Sequence, residues 1–140
     1  MYESILVAVD DSEPAARAAA AAAQLARLSG GTVLLFHVRE RQDVIGKSGG
    51  SFDVEYQEEA DALLDKVAGD VKDSGVAYTT RTVHVPIGHV AKEIVKAASE
   101  GNADTIVMGS HGRTSLSALI LGSTAYKVLH LADRPVLIVR

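Results

Sequence analysis

Continuous apolar runs alternate with helical periodicity along the chain. Five short runs have the length and composition of buried strands: Ile5–Val9, Thr32–Val38, Val76–Val83, Thr105–Met108 and Val136–Val139. Between them, apolar residues recur every three or four positions, which predicts helices over Glu13–Leu28, Tyr56–Val71, Ile87–Ala98 and Ser123–Leu131. Strands that are apolar throughout and separated by helices are typical of a parallel sheet covered on both faces.

This alternation predicts one α/β domain over residues 1–140, a doubly wound, Rossmann-like sheet of five parallel strands with helices on both faces. Right-handed crossovers place the ligand site of such a sheet at the carboxyl ends of strands, where the direction of the connections reverses. Asp10 and Gly109 follow two of these strands. The polar, glycine-containing segment Arg39–Ser51 interrupts the pattern, and we predict a mobile surface loop there.

Composition excludes several classes of function. With 47% hydrophobic and 23% charged residues the chain is globular, and we expect no membrane association. The 14 basic and 18 acidic residues give a net charge of −4 without a basic stripe, so no nucleic-acid partner is expected. The absence of Cys removes thiolate catalysis and Cys-based metal sites. The first residues show no secretory pattern, and we expect a cytoplasmic protein.

The segment Gly109–Thr124, GSHGRTSLSALILGST, is the candidate binding site. Its three glycines permit positive φ and close backbone approach, which suits amide groups that converge on phosphate oxygens. Gly122-Ser123-Thr124 then begins a predicted helix, whose unpaired N–H groups and positive dipole end favour an anion. The segment therefore contains two sets of donors that could bind phosphate.

A simpler interpretation is a turn at Gly109 and Gly112 followed by an ordinary helix cap at Ser123, and the local pattern leaves both interpretations open. The chain has neither the Walker A spacing nor a G-x-G-x-x-G motif after its first strand, so it lacks the other common phosphate-binding loops. The middle of the segment is predicted to pack rather than to contact a ligand, with Leu116, Leu119, Ile120 and Leu121 as anchors.

The pattern Gly109-x2-Gly112-x9-Gly122-Ser123-Thr124, preceded by IVM and followed by RPVLIVR, resembles the ATP-binding branch of the universal stress protein family. ILVAVDDSE and LLFHV extend the resemblance over essentially the whole chain. The resemblance implies the strand order 3-2-1-4-5, with ATP between the ends of the first and fourth strands. Mg²⁺ or Mn²⁺ would offset the triphosphate charge without needing ligands from the protein, and no metal-binding residue is predicted.

The resemblance also implies the residues that contact ATP. It places Ala8, Val9 and Asp10 at the adenosine end, Val38 beside adenine, Met108 and Gly109 near the ribose, and Gly112, Gly122, Ser123 and Thr124 around the phosphates. His111 and Arg113 are further candidates for phosphate contact, although each also fits a solvated loop residue. Asp10 would accept a hydrogen bond from adenosine, because a carboxylate cannot attract a triphosphate; its alternative role is a turn former or helix cap.

The C-terminal segment Pro135–Arg140 is an apolar strand with no helix after it. If it forms a sheet edge, its unpaired backbone groups invite pairing with a second copy, whereas an internal strand needs no partner. The family resemblance implies a homodimer through this strand, and we predict one.

We therefore expect an ATP-binding regulatory protein of the stress response, dimeric and with unidentified protein partners. The alternatives are a slow ATP hydrolase or nucleotidyl-transfer enzyme of the same fold class, and a nucleotide-free interaction protein. No general base or nucleophile can be identified, so no catalytic residue is predicted. The remaining histidines show no spacing that suits a metal site: His37, His84, His89 and His130.

Overall fold

The computed structural model of the 140-residue chain describes residues 1–44, 46, 49–112 and 120–140. Strands and helices alternate through these residues, except that the second and third strands follow each other directly. The strands are β1 (Ser4–Ala8), β2 (Thr32–Asp43), β3 (Ser51–Asp53), β4 (Ala77–Pro86), β5 (Thr105–Gly109) and β6 (Val136–Val139). The helices are α1 (Glu13–Ser29), α2 (Gln57–Asp73), α3 (Val90–Glu100) and α4 (Ser123–Leu131).

Parallel pairing orders the long strands as β4-β2-β1-β5-β6. Numbered among the predicted strands, this order is 3-2-1-4-5, so the doubly wound sheet is confirmed. The chain moves from β1 outward through β2 to β4, then crosses to the other side of β1 for β5 and β6. The direction reverses beside β1, where Ala8 lies opposite Met108 of β5. A crevice at these strand ends is the expected position of a ligand site.

The central strand β1 is buried on both faces and separates two hydrophobic layers. Ile5 and Val7 pack in the layer formed with α1 and α2, whereas Leu6 packs in the layer formed with α3 and α4. None of these three residues exposes more than 1% of its surface. Full burial of such a side chain contributes about 1.5–3 kcal/mol. The two layers together therefore fix the position of the carboxyl end of β1.

Helix α1 approaches the sheet closely because its buried face consists mainly of alanine. Ser12 caps its start by accepting the N–H of Ala15 at 3.3 Å, and Pro14 occupies the first turn, where a missing N–H costs nothing. The helix ends at Ser29, and the following cap residue, Gly30, has a φ of 71° in the left-handed region. The alanines of the buried face are Ala15, Ala18, Ala19, Ala22, Ala23 and Ala26.

Strand β2 is longer than predicted, so the first part of the predicted loop Arg39–Ser51 is wrong. β2 continues to Asp43 and pairs there with the short antiparallel strand β3, which the apolar pattern did not indicate. Only the residues after β2 remain as a connection to β3. Ile45, Lys47 and Ser48 of that connection lie outside the described residues.

Strands β3 and β4 flank the end of β2 on opposite sides. The N–H of Val54 donates to the carbonyl of Glu40 at 3.0 Å, and the N–H of Ile87 donates to the carbonyl of Arg41 at 3.1 Å. Successive carbonyls of a strand point to opposite edges. β4 pairs with one edge of β2 along most of its length. β3 therefore pairs with the opposite edge, the same edge that pairs with β1 nearer the start of β2, and it lies beyond the end of β1.

The apolar spacing predicted that helix α3 begins at Ile87, but in the structure it begins at Val90. The N–H of Ile87 is bonded to β2, and Gly88 has a φ of 89°, which is incompatible with a helix. The apolar spacing therefore identified the helix correctly but included residues 87–89, which belong to the loop before it.

At the opposite end of the sheet, Asp104 fastens the start of the chain. Its carboxylate accepts the backbone N–H groups of residues 2–4 at 2.9–3.2 Å and the hydroxyl of Thr105 at 2.8 Å. Burial raises the pKa of Asp104, but the hydroxyl and the backbone N–H groups lower it by more in sum, so the pKa lies below its ordinary value of 3.8. The folded state therefore favours the ionised form of the Asp104 carboxylate.

We expect Asp104→Asn to lower the free energy of unfolding by about 1–3 kcal/mol at neutral pH, because charge-assisted hydrogen bonds are lost. A carboxylate whose pKa is lowered by folding stabilises fully above its unfolded value of 3.8, and this contribution disappears as the pH falls through the folded value. The difference between the two proteins should therefore be constant above about pH 5 and shrink below pH 4, as measured by urea unfolding.

The control is Asp65→Asn, which removes an exposed carboxylate from α2 and should change stability by less than about 0.5 kcal/mol. A difference between wild type and Asp104→Asn that persists unchanged at pH 2.5 would contradict the assignment.

Candidate functional site

A cavity of about 430 Å³ lies at the carboxyl ends of β1, β2 and β5, facing the N-termini of α3 and α4. Every described residue that the sequence predicted for the site lines it: Ala8, Val9, Asp10, Val38, Met108, Gly109, His111, Gly112, Gly122, Ser123 and Thr124. Arg113, the remaining predicted contact, lies outside the described residues, as do Leu116 and Leu119. The strand ends and the helix start thus bring together residues that are more than 100 positions apart in sequence.

The N-terminus of α4 opens into this cavity. Gly122 is the N-cap residue in an extended conformation, and no side chain among the described residues caps the helix. The N–H of Gly122 donates to the carbonyl of Ser110 at 2.7 Å, which holds the helix start against the end of β5. The first N–H groups of a helix have no intrahelical acceptor. The residues that carry them, Ser123, Thr124 and Ala125, all line the cavity.

The three glycines of the predicted phosphate loop do not use positive φ. The described glycines with positive φ are Gly30, Gly49, Gly50, Gly75 and Gly88, so this part of the sequence prediction is wrong. What they share is close packing. A Cβ on Gly109 would lie 2.8 Å from Cβ of Pro14, and one on Gly122 would lie 3.0 Å from Cα of His111. Glycine is therefore needed at these positions for the approach of neighbouring backbone.

Gly112 and Asp10 form the contact between the loop after β5 and the loop after β1. A Cβ on Gly112 would lie 2.8 Å from Oδ2 of Asp10. The other oxygen of this carboxylate, Oδ1, accepts the N–H of Ser12 at 2.9 Å and also its hydroxyl. Asp10 therefore shapes the turn into α1 through one oxygen and directs the other toward the glycine loop.

The two central residues of the loop that are described behave differently. Leu121 packs against the hydrophobic layer of α3 and α4, as predicted. Ile120 is 65% exposed, so its prediction as a packing residue is wrong. Both side chains also line the cavity, at the edge where the chain enters α4.

An apolar wall forms the side of the cavity next to β2. Phe36 and Val38 point to the same face of β2, because side chains alternate along a strand, and Val90 and Ile94 of α3 stand opposite. Phe36 is fully buried, whereas Val38 and Val90 are partly buried. The cavity thus has an apolar side between β2 and α3 and a donor-rich side at α4.

A buried ionic cluster beneath the cavity was not predicted. Nδ1 of His37 lies 2.6 Å from the carbonyl oxygen of Val9 and therefore carries a proton, and Nε2 lies 2.7 Å from the carboxylate of Glu55. One more proton must lie between His37 and Glu55, either as an ion pair or as a neutral pair. Both side chains are buried, and His37 lines the cavity. The pair joins the end of β1 to the segment after β3.

Arg39 extends this cluster. Its guanidinium donates to the carbonyl of Glu55 at 2.9 Å, to Asp53 at 3.1 Å and to the side chain of Gln57 at 2.8 Å. His84 of β4 reaches the same Asp53 at 2.9 Å. The polar, glycine-containing sequence of Arg39–Ser51 had predicted a mobile surface loop, but the partners of Arg39 lie more than ten positions away, beyond the reach of local patterns.

Among the described residues, no group of His, Asp and Glu is arranged to hold a metal ion by itself. In the same part of the chain, no helix has the length and apolarity needed to cross a bilayer.

Comparison with known proteins identifies a family. The universal stress protein family profile matches residues 1–140. A universal stress protein of Thermus aquaticus is 35% identical over 144 residues that cover 100% of both chains. Universal stress protein MJ0577 of Methanocaldococcus jannaschii is 30% identical over 158 residues, covering 100% of this chain and 96% of that protein.

Solved structures agree with these sequence relatives. The structure of MJ0577 has a TM-score of 0.79 to this chain at 28% identity and covers 99% of this chain and 96% of its own. The universal stress protein from Archaeoglobus fulgidus in complex with dAMP has a TM-score of 0.71 at 27% identity, over 99% of this chain and 98% of its own.

Close packing at Gly109 allows the packing of the end of β5 against the start of α1 to be tested. We expect Gly109→Ala to destabilise the protein by about 1–3 kcal/mol, because the new Cβ would lie 2.8–2.9 Å from Pro14 and from the backbone of Ala15. The measurement is the free energy of unfolding from urea titration.

The matched control is Gly69→Ala in α2, where a Cβ would have no neighbour within 4 Å. Alanine is a better helix former by about 0.5–1 kcal/mol, so this variant should be more stable than the wild type. Equal stability of Gly109→Ala and wild type would show that the strand end is not packed as described.

Proposed function

Because the chain belongs to the universal stress protein family, we propose that it binds ATP in this cavity and acts as a nucleotide-dependent regulatory protein. One observation carries the proposal: the N-terminus of α4, which no described side chain caps, opens into the same cavity as the apolar wall of β2 and α3. A ligand with an anionic end and a flat apolar end matches both sides. The volume of about 430 Å³ is within the usual range for small-ligand sites.

The two sides orient the nucleotide. The phosphates would lie at the first turn of α4 and along Gly109–Gly112, where backbone N–H groups and the helix dipole favour negative charge. The base would lie between Val38 and Ile94. The ribose would lie over Ala8 and Met108, between the base and the phosphates. This orientation keeps Val38 beside the base and Met108 near the ribose, as the family resemblance implied, but assigns Gly109 to the phosphates rather than to the ribose.

An adenine nucleotide is supported by the relative from Archaeoglobus fulgidus, whose structure is a complex with dAMP. We extend the ligand to the triphosphate because donors lie on two separate segments, the start of α4 and the loop after β5. Oδ2 of Asp10 lies beside Gly112, and a cation bound to the phosphates would offset the repulsion between this carboxylate and the ligand. Mg²⁺ or Mn²⁺ would bind to the phosphates and water, without requiring a ligand from the protein.

We propose binding rather than turnover, because the sequence offers no identifiable general base or nucleophile and two of the titratable side chains of the cavity are already engaged in hydrogen bonds. Oδ1 of Asp10 accepts two hydrogen bonds from Ser12. Both ring nitrogens of His37 are occupied. Occupancy would then act on partners by favouring one conformation of the loop or dimer, which requires different ATP affinities for the two conformations.

We also propose a homodimer through β6, on the basis of a difference between the two edges of the sheet. The edge strand β4 presents exposed polar side chains at Thr79, Thr80 and Arg81. The edge strand β6 is apolar throughout, and Leu137 is 38% exposed. Apolar edges pair with other chains more readily than charged ones. The cytoplasmic location and the existence of unidentified regulatory partners stay predictions from the sequence.

We expect isothermal titration calorimetry with Mg²⁺ to detect ATP binding by the wild type, and Thr124→Asp to weaken it at least about tenfold. Thr124 lies in the first turn of α4 and lines the cavity. A carboxylate there repels phosphate but suits the positive end of the helix, so binding should fall while the fold is retained.

The control is Ala62→Asp, which adds the same charge on the exposed side of α2 and should bind ATP like the wild type. Failure of the folded wild-type protein to bind ATP would refute the proposal. Chromatography of the bound nucleotide after long incubation distinguishes the two modes of action: unchanged ATP supports a regulatory protein, and rapid conversion to ADP supports the hydrolase.

For the dimer, we expect Leu137→Arg to shift the solution mass from two chains to one, measured by light scattering after gel filtration, because a charge at the pairing edge loses its hydration. Thr79→Arg places the same charge on the β4 edge and should leave the dimer intact. A dimeric Leu137→Arg protein would place the interface elsewhere.

A further inference from the structure

Glu40 is a partly buried carboxylate on the wall of the cavity, and it has no role in the site as described so far. It lies on β2, two positions after Val38, so both side chains point to the same face of the strand. Its Oε2 accepts the N–H of Gly88 at 3.0 Å, in the loop before α3. This is the one hydrogen bond that the described residues make to the carboxylate, and Oε1 is left to accept another.

The position of Glu40 is remote from the phosphate side. Ala8 at the end of β1 lies opposite Phe36, and β2 continues four residues further to Glu40, a distance of about 13 Å at 3.3 Å per residue. The glycine loop, by contrast, touches Asp10 directly after β1. A second carboxylate near the phosphates would oppose binding, but at this distance it faces the other end of the ligand.

The other polar side chain at this end, His37, has no free ring nitrogen with which to contact a ligand. His37 has one ring nitrogen on the carbonyl of Val9 and the other on Glu55. The remaining walls there are apolar, formed by Val38, Val90 and Ile94. Glu40 is therefore the polar side chain that remains to distinguish one base from another among the described residues of this wall.

We propose that Glu40 determines base selectivity, by accepting a hydrogen bond from the six-amino group of adenine. This inference rests on the proposed nucleotide site. Adenine presents an N–H donor at position 6, whereas guanine and hypoxanthine present a carbonyl oxygen, which is an acceptor. A carboxylate accepts hydrogen bonds and repels another acceptor. Glu40 thus favours adenine and disfavours six-oxo purines.

The test compares binding of ATP and ITP, which differ at position 6 of the base, to the wild type and to Glu40→Gln by isothermal titration calorimetry with Mg²⁺. Glutamine keeps a carbonyl oxygen for the N–H of Gly88 and adds an amide that can donate to a six-oxo group. We expect the wild type to bind ATP about 10–100-fold more tightly than ITP. In Glu40→Gln this ratio should fall about tenfold or more.

The matched control is Glu3→Gln, which removes an exposed carboxylate at the opposite end of the sheet and should keep the wild-type ratio. A role of Glu40 only in holding the loop before α3 would change both affinities alike. An ATP-to-ITP ratio that is unchanged in Glu40→Gln therefore overturns this inference while ATP binding stands. If the folded wild type binds neither nucleotide, the proposed function fails, and the inference with it.

Discussion

The cavity depends on one constraint: a parallel strand can be reached only by a crossover that carries the chain back over a face of the sheet. After β1 the chain enters α1, which packs in the layer with α2, and after β5 it enters α4, which packs in the layer with α3. Because β1 and β5 are neighbours, the two connections leave adjacent strand ends in opposite directions. The gap between them is the floor of the cavity.

How far the sequence predicted the structure depends on whether the determining contacts are local. Helix α4 begins at Ser123 as predicted, and the central strands lie where the apolar runs are. Strand β3 was missed because its three residues are exposed and give no apolar signal. The glycines at 109 and 122 were singled out for approach to phosphate, whereas the close approach in the structure is to Pro14 and His111, neighbours that are recognisable only in three dimensions. The same holds for Glu40, which local patterns assigned to a loop.

The ionic cluster of His37, Arg39 and Glu55 fixes the register of β3 against β2, which the sequence of β3 itself does not determine. A strand with no buried side chain has no hydrophobic pattern to fix its register against β2. The buried guanidinium of Arg39 needs the carbonyl of Glu55 and the carboxylate of Asp53 at one defined position. A slip of one residue would leave a buried charge without partners, which costs several kcal/mol. The cluster therefore sets the register of β3 and the position of the Val9 carbonyl through the same residues.

The unequal edges of the sheet also limit how far association can go. In the proposed dimer, pairing of two β6 strands around a twofold axis would consume the apolar edge of each copy. The strands then left at the outside are the two copies of β4, whose exposed threonines and Arg81 oppose further strand addition. A sheet with one apolar edge and one polar edge thus favours a closed, finite assembly over continued growth into fibrils.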